Sequence, residues 1–180
     1  MNKSIYKYAA EAGIPTGLYL TLMSGCFLLS PKYDFLSMLI FPLMLVFPVV
    51  VWALMKRVAT LQPLYSRFSP LWLFGIYSII FGTLICSLVS GVYLVFVDPG
   101  FMTHYVESAI ANIQESPMAG QYAQTIDMMQ DALDRHMLPS GLQFVATMGW
   151  FTCFSGAMLS LVMALIVSRG NTKKRVSMFR

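Results

Sequence analysis

The side chains able to move protons or hold a metal are few in this sequence, and they lie apart. Its 180 residues contain two histidines. His104 stands one helical turn from Glu107, and His136 follows Asp131 and Asp134 in a later stretch. If the two stretches fold back on each other, imidazoles and carboxylates converge on a divalent cation. The spacing matches no recognised ligand motif, however, and acids beside a histidine are also the ordinary composition of a solvated helix face. Glu11 is a second candidate, because an acid near a bilayer can serve as a proton or cation site. Lys7 precedes it by one turn, which instead places Glu11 at headgroup depth in a surface pair. Cys26, Cys86 and Cys153 each fall within an apolar run, where a thiol behaves as a small apolar group. Their odd number argues against a disulfide framework. No Ser-His-Asp set, phosphate-binding loop, dinucleotide glycine motif or HExxH is present. The expectation is no enzyme: no catalytic residues, no cofactor and no metal.

What must position these residues is set by composition. Hydrophobic residues make up 57% of the chain and charged residues 11%, where soluble proteins carry roughly 25% charged. Four apolar runs, starting at Ala12, Phe35, Leu71 and Leu142, predict membrane spans over residues 10–30, 35–55, 71–97 and 142–167. Lipid leaves open backbone groups unsatisfied, so the spans must be helices; alternating strands of a barrel are absent. The fold class is therefore all-α, an integral membrane four-helix bundle within a single membrane domain, residues 1–180. Pro42 and Pro48 each remove a backbone donor and should bend the second span, as a packing kink or as a hinge. The third and fourth runs are longer than a bilayer requires, so they tilt or project.

Basic residues orient the spans. With both chain ends inside, ten of the twelve Lys and Arg residues are cytoplasmic, and only Lys32 and Arg135 are outside. This asymmetry places the N and C termini in the cytoplasm. The net charge of +4 is thus a matter of orientation and does not imply nucleic acid. Lys3 and Lys7 with Met23-Ser24-Gly25-Cys26 loosely resemble a lipoprotein leader. Glu11 interrupts its apolar region and Phe27-Leu28-Leu29 continues the run past the cysteine, which favours a retained span.

Between the third and fourth spans, residues 98–141 carry Asp98, Glu107, Glu115, Asp127, Asp131 and Asp134. Met102, Val106, Ala109, Ile110 and Ile113 recur at helical spacing, as do Tyr122, Ile126, Met129, Leu133 and Met137. Ser116-Pro117-Met118-Ala119-Gly120 separates the two stripes. The pattern predicts an extracytoplasmic amphipathic helical hairpin. At its entrance Asp98 is suited to cap a new helix through its carboxylate, with Pro99 at the first helical position.

Small residues form ridges within the spans. Gly13, Gly17, Thr21 and Gly25 fall at intervals of four in the first, Ser78, Gly82, Cys86 and Ser90 in the third, and Thr152, Gly156, Ser160 and Ala164 in the fourth. Such ridges let helix backbones approach closely in lipid. They serve contacts within one chain, or a homo-oligomer or membrane partner; spacing does not separate these.

The junction Tyr93-Leu94-Val95-Phe96-Val97-Asp98-Pro99-Gly100-Phe101-Met102 leads into a long acidic segment containing Met and Gln, then a last span with a basic tail. With Lys7-Tyr8, Gly13 and Gly17 at the opening, the chain resembles the bacterial family called domain of unknown function 4199, found chiefly in Bacteroidetes. The resemblance covers nearly the whole chain. It implies a multi-pass protein of the inner membrane of a Gram-negative bacterium and supplies no catalytic residues. The expected role is a non-enzymatic interaction or accessory protein that uses its acidic outer segment; the alternative is a small transporter or channel subunit acting as an oligomer.

Overall fold

A computed structural model describes residues 5–116 and 119–178, the side chains at 34, 63–64, 119 and 171–178 excepted. Lys3, Pro117, Met118 and Arg180, and the side chains of Lys173, Lys174 and Arg175, lie outside the described residues. The elements are helical throughout: α1 (Ile5–Leu29), α2 (Asp34–Leu61), α3 (Phe68–Val92), α4 (Phe101–Gln114), α5 (Ala123–Asp134) and α6 (Gly141–Met178), with no strand among the described residues. Four stretches, Ile5–Leu29, Phe35–Leu61, Phe68–Val97 and Gly141–Gly170, are long and apolar enough to cross a membrane. Side chains such as Met38, Phe41, Phe96, Trp150 and Phe154 are each at least 66% exposed. A surface of that kind is stable against lipid and would be an aggregation liability in water. The molecule is an all-α membrane helical bundle.

The helices are longer than the apolar runs. The second continues past Met55 to Leu61 because Lys56 can follow the helix while its Nζ lies 4.7 Å from the centre of the Trp52 ring, a cation–π contact. It ends where Gln62-Pro63 denies further helical bonds. Helix α2 is continuous through Pro42 and Pro48, and α1 through Pro15. Near the prolines of α2 the Tyr19 hydroxyl donates to the Leu43 carbonyl, one residue from the carbonyl that Pro48 leaves without its helical donor. Beyond Val92 the third span widens into a single π-turn, Tyr93–Val97, closed by the Asp98 amide on the Tyr93 carbonyl at 3.1 Å.

The small-residue ridges decide how the spans meet, and they meet each other. The closest pairing is α1 on α3, followed by α3 on α6. Thr16 contacts Ser78 at 3.3 Å and Ser24 contacts Ser90 at 2.8 Å, so α1 and α3 run parallel. A Cβ at Gly82 would lie 3.0 Å from the Gly17 amide nitrogen, and one at Gly13 only 2.5 Å from the Phe81 Cβ. A Cβ at Gly156 would lie 2.6 Å from Ile79, and one at Gly75 2.8 Å from the Ser160 Cβ. Lipid offers no hydrophobic drive between helices, so this backbone approach and its dispersion contacts supply the association. Around Gly13, Gly17, Gly75, Gly82 and Gly156 the ridges are filled within the chain. The α1 ridge is not used along its whole length: a Cβ at Gly25 would meet nothing within 4 Å.

Two apolar clusters result. The larger lies toward the chain ends, where Ala9, Met55, Leu71, Phe74 and Ala164 are each no more than 1% exposed. The smaller lies at the opposite end, around Leu28, Leu94 and Phe101. It carries the α4–α5 hairpin. Ile110, Ile126, Met129 and Leu133 of the two expected stripes are buried or half-buried there, whereas Tyr122 and Met137 at the ends of the second stripe are exposed.

Candidate functional site

The hairpin end holds the arrangement with most chemical content. Its base is a set of rings: Phe27 from α1 lies 6.1 Å from Phe101, 5.4 Å from Tyr105 and 6.0 Å from Phe144. Phe101 and Tyr105 belong to α4, and Phe144 to the first turn of α6. Stacked and edge-to-face pairs of this kind add about 0.5–1.5 kcal/mol each beyond area burial. The cluster therefore fixes the hairpin to the ends of α1 and α6. Phe101 is 2% exposed. Its importance was not visible in the stripe counted from Met102, because it stands at the very start of α4.

Above the rings is a polar cavity of about 270 Å³, lined by Leu28, Leu29, Lys32, Tyr93, Asp98 and His104 among others. It brings together residues that the sequence placed apart. Asp98 Oδ1 stands 3.5 Å from His104 Nδ1, with the carboxylate half-buried and the imidazole exposed. His104 thus faces the acid six residues before it, while Glu107 stands exposed on α4. The expected cap at Asp98 does not form: α4 starts after Gly100, no side chain caps it, and Asp98 contributes its carbonyl, which accepts from the Phe101 amide at 3.2 Å. The π-turn carries Asp98 round to the hairpin's base, and Pro99-Gly100 completes the turn outside the helix. Gly100 also makes room for the imidazole, since a Cβ there would lie 3.2 Å from the His104 Cε1.

Below the rings is a second cavity, of about 260 Å³. Its walls come from all four spans but unequally. The α1 wall is Leu20, Met23, Ser24, Phe27 and Leu28; α3 adds Thr83, Cys86, Ser87 and Ser90, and the π-turn adds Leu94. The first turns of α6 complete it, with Gly149 and Thr152 as its smallest surfaces, whereas α2 contributes Ile40 alone. The cavity lies past Gly17, on the stretch of α1 where the glycine ridge no longer meets a neighbour and a Cβ at Gly25 has nothing within 4 Å. Ser24 and Ser90 satisfy each other across the gap, but the Thr83 hydroxyl, in a residue 6% exposed, has no partner. Leu28 lines both cavities.

The remaining candidates are dispersed. His136 is the one non-glycine residue with positive φ among the described residues, at 51°. Its amide bonds the Leu133 carbonyl at 3.1 Å and the Met137 amide bonds the Ala132 carbonyl at 3.0 Å. That is a Schellman ending with His136 in the left-handed position usually held by glycine. Asp131 is engaged by Arg135 at 2.7 Å on the exposed face. Among the described residues no group of three or more His, Cys, Asp or Glu comes together to hold a metal. Glu11 is exposed on α1, and the three cysteines are free and half-buried.

One further positioning element has a plain signature in the sequence. Ser140 and Gln143 cap α6 reciprocally: the Ser140 amide donates to the Gln143 Oε1 at 3.0 Å, and the Gln143 amide to the Ser140 Oγ at 3.3 Å. The Ser-x-x-Gln spacing is the signature of this box.

A family model described as a protein of unknown function (DUF4199) matches residues 12–169. The match spans the four long helices and the hairpin between them. No curated protein matches the chain, and no solved structure does.

Proposed function

Because the chain belongs to the DUF4199 family of proteins of unknown function, which brings membership without an activity, we propose a role from its geometry: it is a non-enzymatic multi-pass protein of the bacterial inner membrane that presents its hairpin to a partner outside the cytoplasm. The observation that carries this reading is the ring cluster of Phe27, Phe101, Tyr105 and Phe144, which clamps α4 onto the bundle. A tethered loop needs no such clamp; a fixed platform does. Glu107, Glu115, Asp127, Asp131 and Asp134 stand exposed on that platform. An acidic face of this kind steers and orients a basic partner surface. The distribution of Lys and Arg supports a cytoplasmic location for both chain ends. Dispersal of Glu11 on α1, His104 on α4 and His136 in the turn after α5 supports a role other than catalysis.

A transporter or channel subunit is the competing reading. It requires an oligomer, and most of the ridge glycines suited to one, Gly25 excepted, are occupied inside the bundle.

Single cysteines along residues 101–137, in a background with Cys26, Cys86 and Cys153 replaced, test the platform by crosslinking in cells. Specific adducts are expected at exposed positions such as 107, 127 and 131, and none at the buried Ile110 and Ile126. An absence of specific adducts along the whole segment overturns the interaction role. A reporter fused after Arg180 that is active only in the periplasm overturns the orientation.

A further inference from the structure

The two cavities at the hairpin end share one wall residue, Leu28, and differ in character: one contains Lys32, Asp98 and His104, the other is almost wholly apolar. A polar chamber above an apolar one is the shape of an amphiphile. We propose that together they bind a single phospholipid of the leaflet on the hairpin side, with an acyl chain in the lower cavity and the headgroup in the upper. This goes beyond the partner-docking role and does not depend on it.

Four observations carry the assignment. The lower cavity, at about 260 Å³, is well above the ~150 Å³ of an apolar cavity that already admits benzene, and its lining is that of a hydrocarbon site. Its weakest wall faces hydrocarbon: α2 supplies only Ile40, and no described α2 side chain before Val51 is buried, so a chain can enter from the side. The depth also matches. Thr83 lies fourteen residues before Val97, where the same span ends, about 20 Å at the rise of a helix, which is the reach of a long acyl chain. The upper cavity holds one lysine and one aspartate, opposite charges for the phosphate and ammonium of a zwitterionic headgroup. Lys32 meets the phosphate, and the Asp98–His104 pair meets the ammonium side.

Native mass spectrometry of the full chain in mild detergent tests this, after delipidation and titration with palmitoyl-oleoyl phosphatidylethanolamine and, separately, the matching uncharged diacylglycerol. One phospholipid is expected to bind with a saturable, one-to-one stoichiometry. Cys86→Phe puts a ring into the lower cavity, and overfilling of this size lowers affinity about tenfold for both lipids. Thr152→Leu, from the opposite wall, makes the same test should the first variant fail to fold. Lys32→Glu is expected to weaken the phospholipid while leaving the diacylglycerol unchanged. Wild-type binding of both lipids by the cavity variants overturns the proposal. An unchanged phospholipid preference in Lys32→Glu overturns the placement of the headgroup. Lipid occupancy is read without any crosslink, so this site and the docking platform can fail separately.

Discussion

The half of the bundle that holds the chain ends and the half that holds the hairpin are made of the same residue types and packed by different means. Toward the chain ends, α1, α2, α3 and α6 all contribute to one core, and Met55, Leu71, Phe74 and Ala164 are sealed in it. Toward the hairpin, the last glycine of the α1 ridge meets no neighbour, no described side chain in the outer half of α2 is buried, and a cavity of about 260 Å³ remains. Rings and caps hold that end together. In lipid, tightness is a matter of where backbones can approach, so glycine placement separates the two halves more sharply than hydrophobicity does.

The comparison is most easily broken at the glycines. Gly82→Leu should destabilise the protein by about 3 kcal/mol, because its side chain meets Thr16 and the backbone of Gly17. Gly25→Leu should stay within ~0.5 kcal/mol, since nothing stands near it. Thermal melts of the two variants in detergent give both values, and equal losses would erase the distinction between the halves. Met55→Ala, at a fully buried position, should cost about 2 kcal/mol. Met148→Ala, on the wall of the existing cavity, should cost under ~1 kcal/mol; denaturation in a helix-retaining detergent with increasing SDS measures both. Ser140→Ala removes half of the box that starts α6 and should cost about 1 kcal/mol, seen as faster hydrogen exchange over the first turn of α6. The smallest effect is expected at His136→Gly. Its left-handed backbone suits glycine, so α5 should gain a few tenths of a kcal/mol, read as slower amide exchange at Met137.

Different signals were legible in different regions. The hairpin helices are amphipathic, so spacing alone placed Ile110 and Ile126 on their buried sides. The spans are apolar all round, and their inward faces were legible only through the small residues at intervals of four. Those ridges predicted that helices would approach closely; Gly25 shows that they did not say how far along. Asp98 looked like a cap because an Asp-Pro pair often starts a helix. The π-turn before it shifts the register, and a widening of that kind leaves little trace in local sequence. Ser140 and Gln143, by contrast, have the Ser-x-x-Gln spacing of a capping box in the sequence itself.

Span number, span length, the hairpin and the family are properties of the sequence alone, because apolar length, helical periodicity and motif order are local. Which ridge faces which helix, the pairing of His104 with Asp98, the bare outer half of α2 and the two cavities around Leu28 were decided only in three dimensions. The reason is physical. Lipid and protein interior are equally apolar, so hydrophobicity cannot say which face of a span turns inward, and the answer falls to steric fit between residues more than sixty positions apart, as Thr16 and Ser78 are.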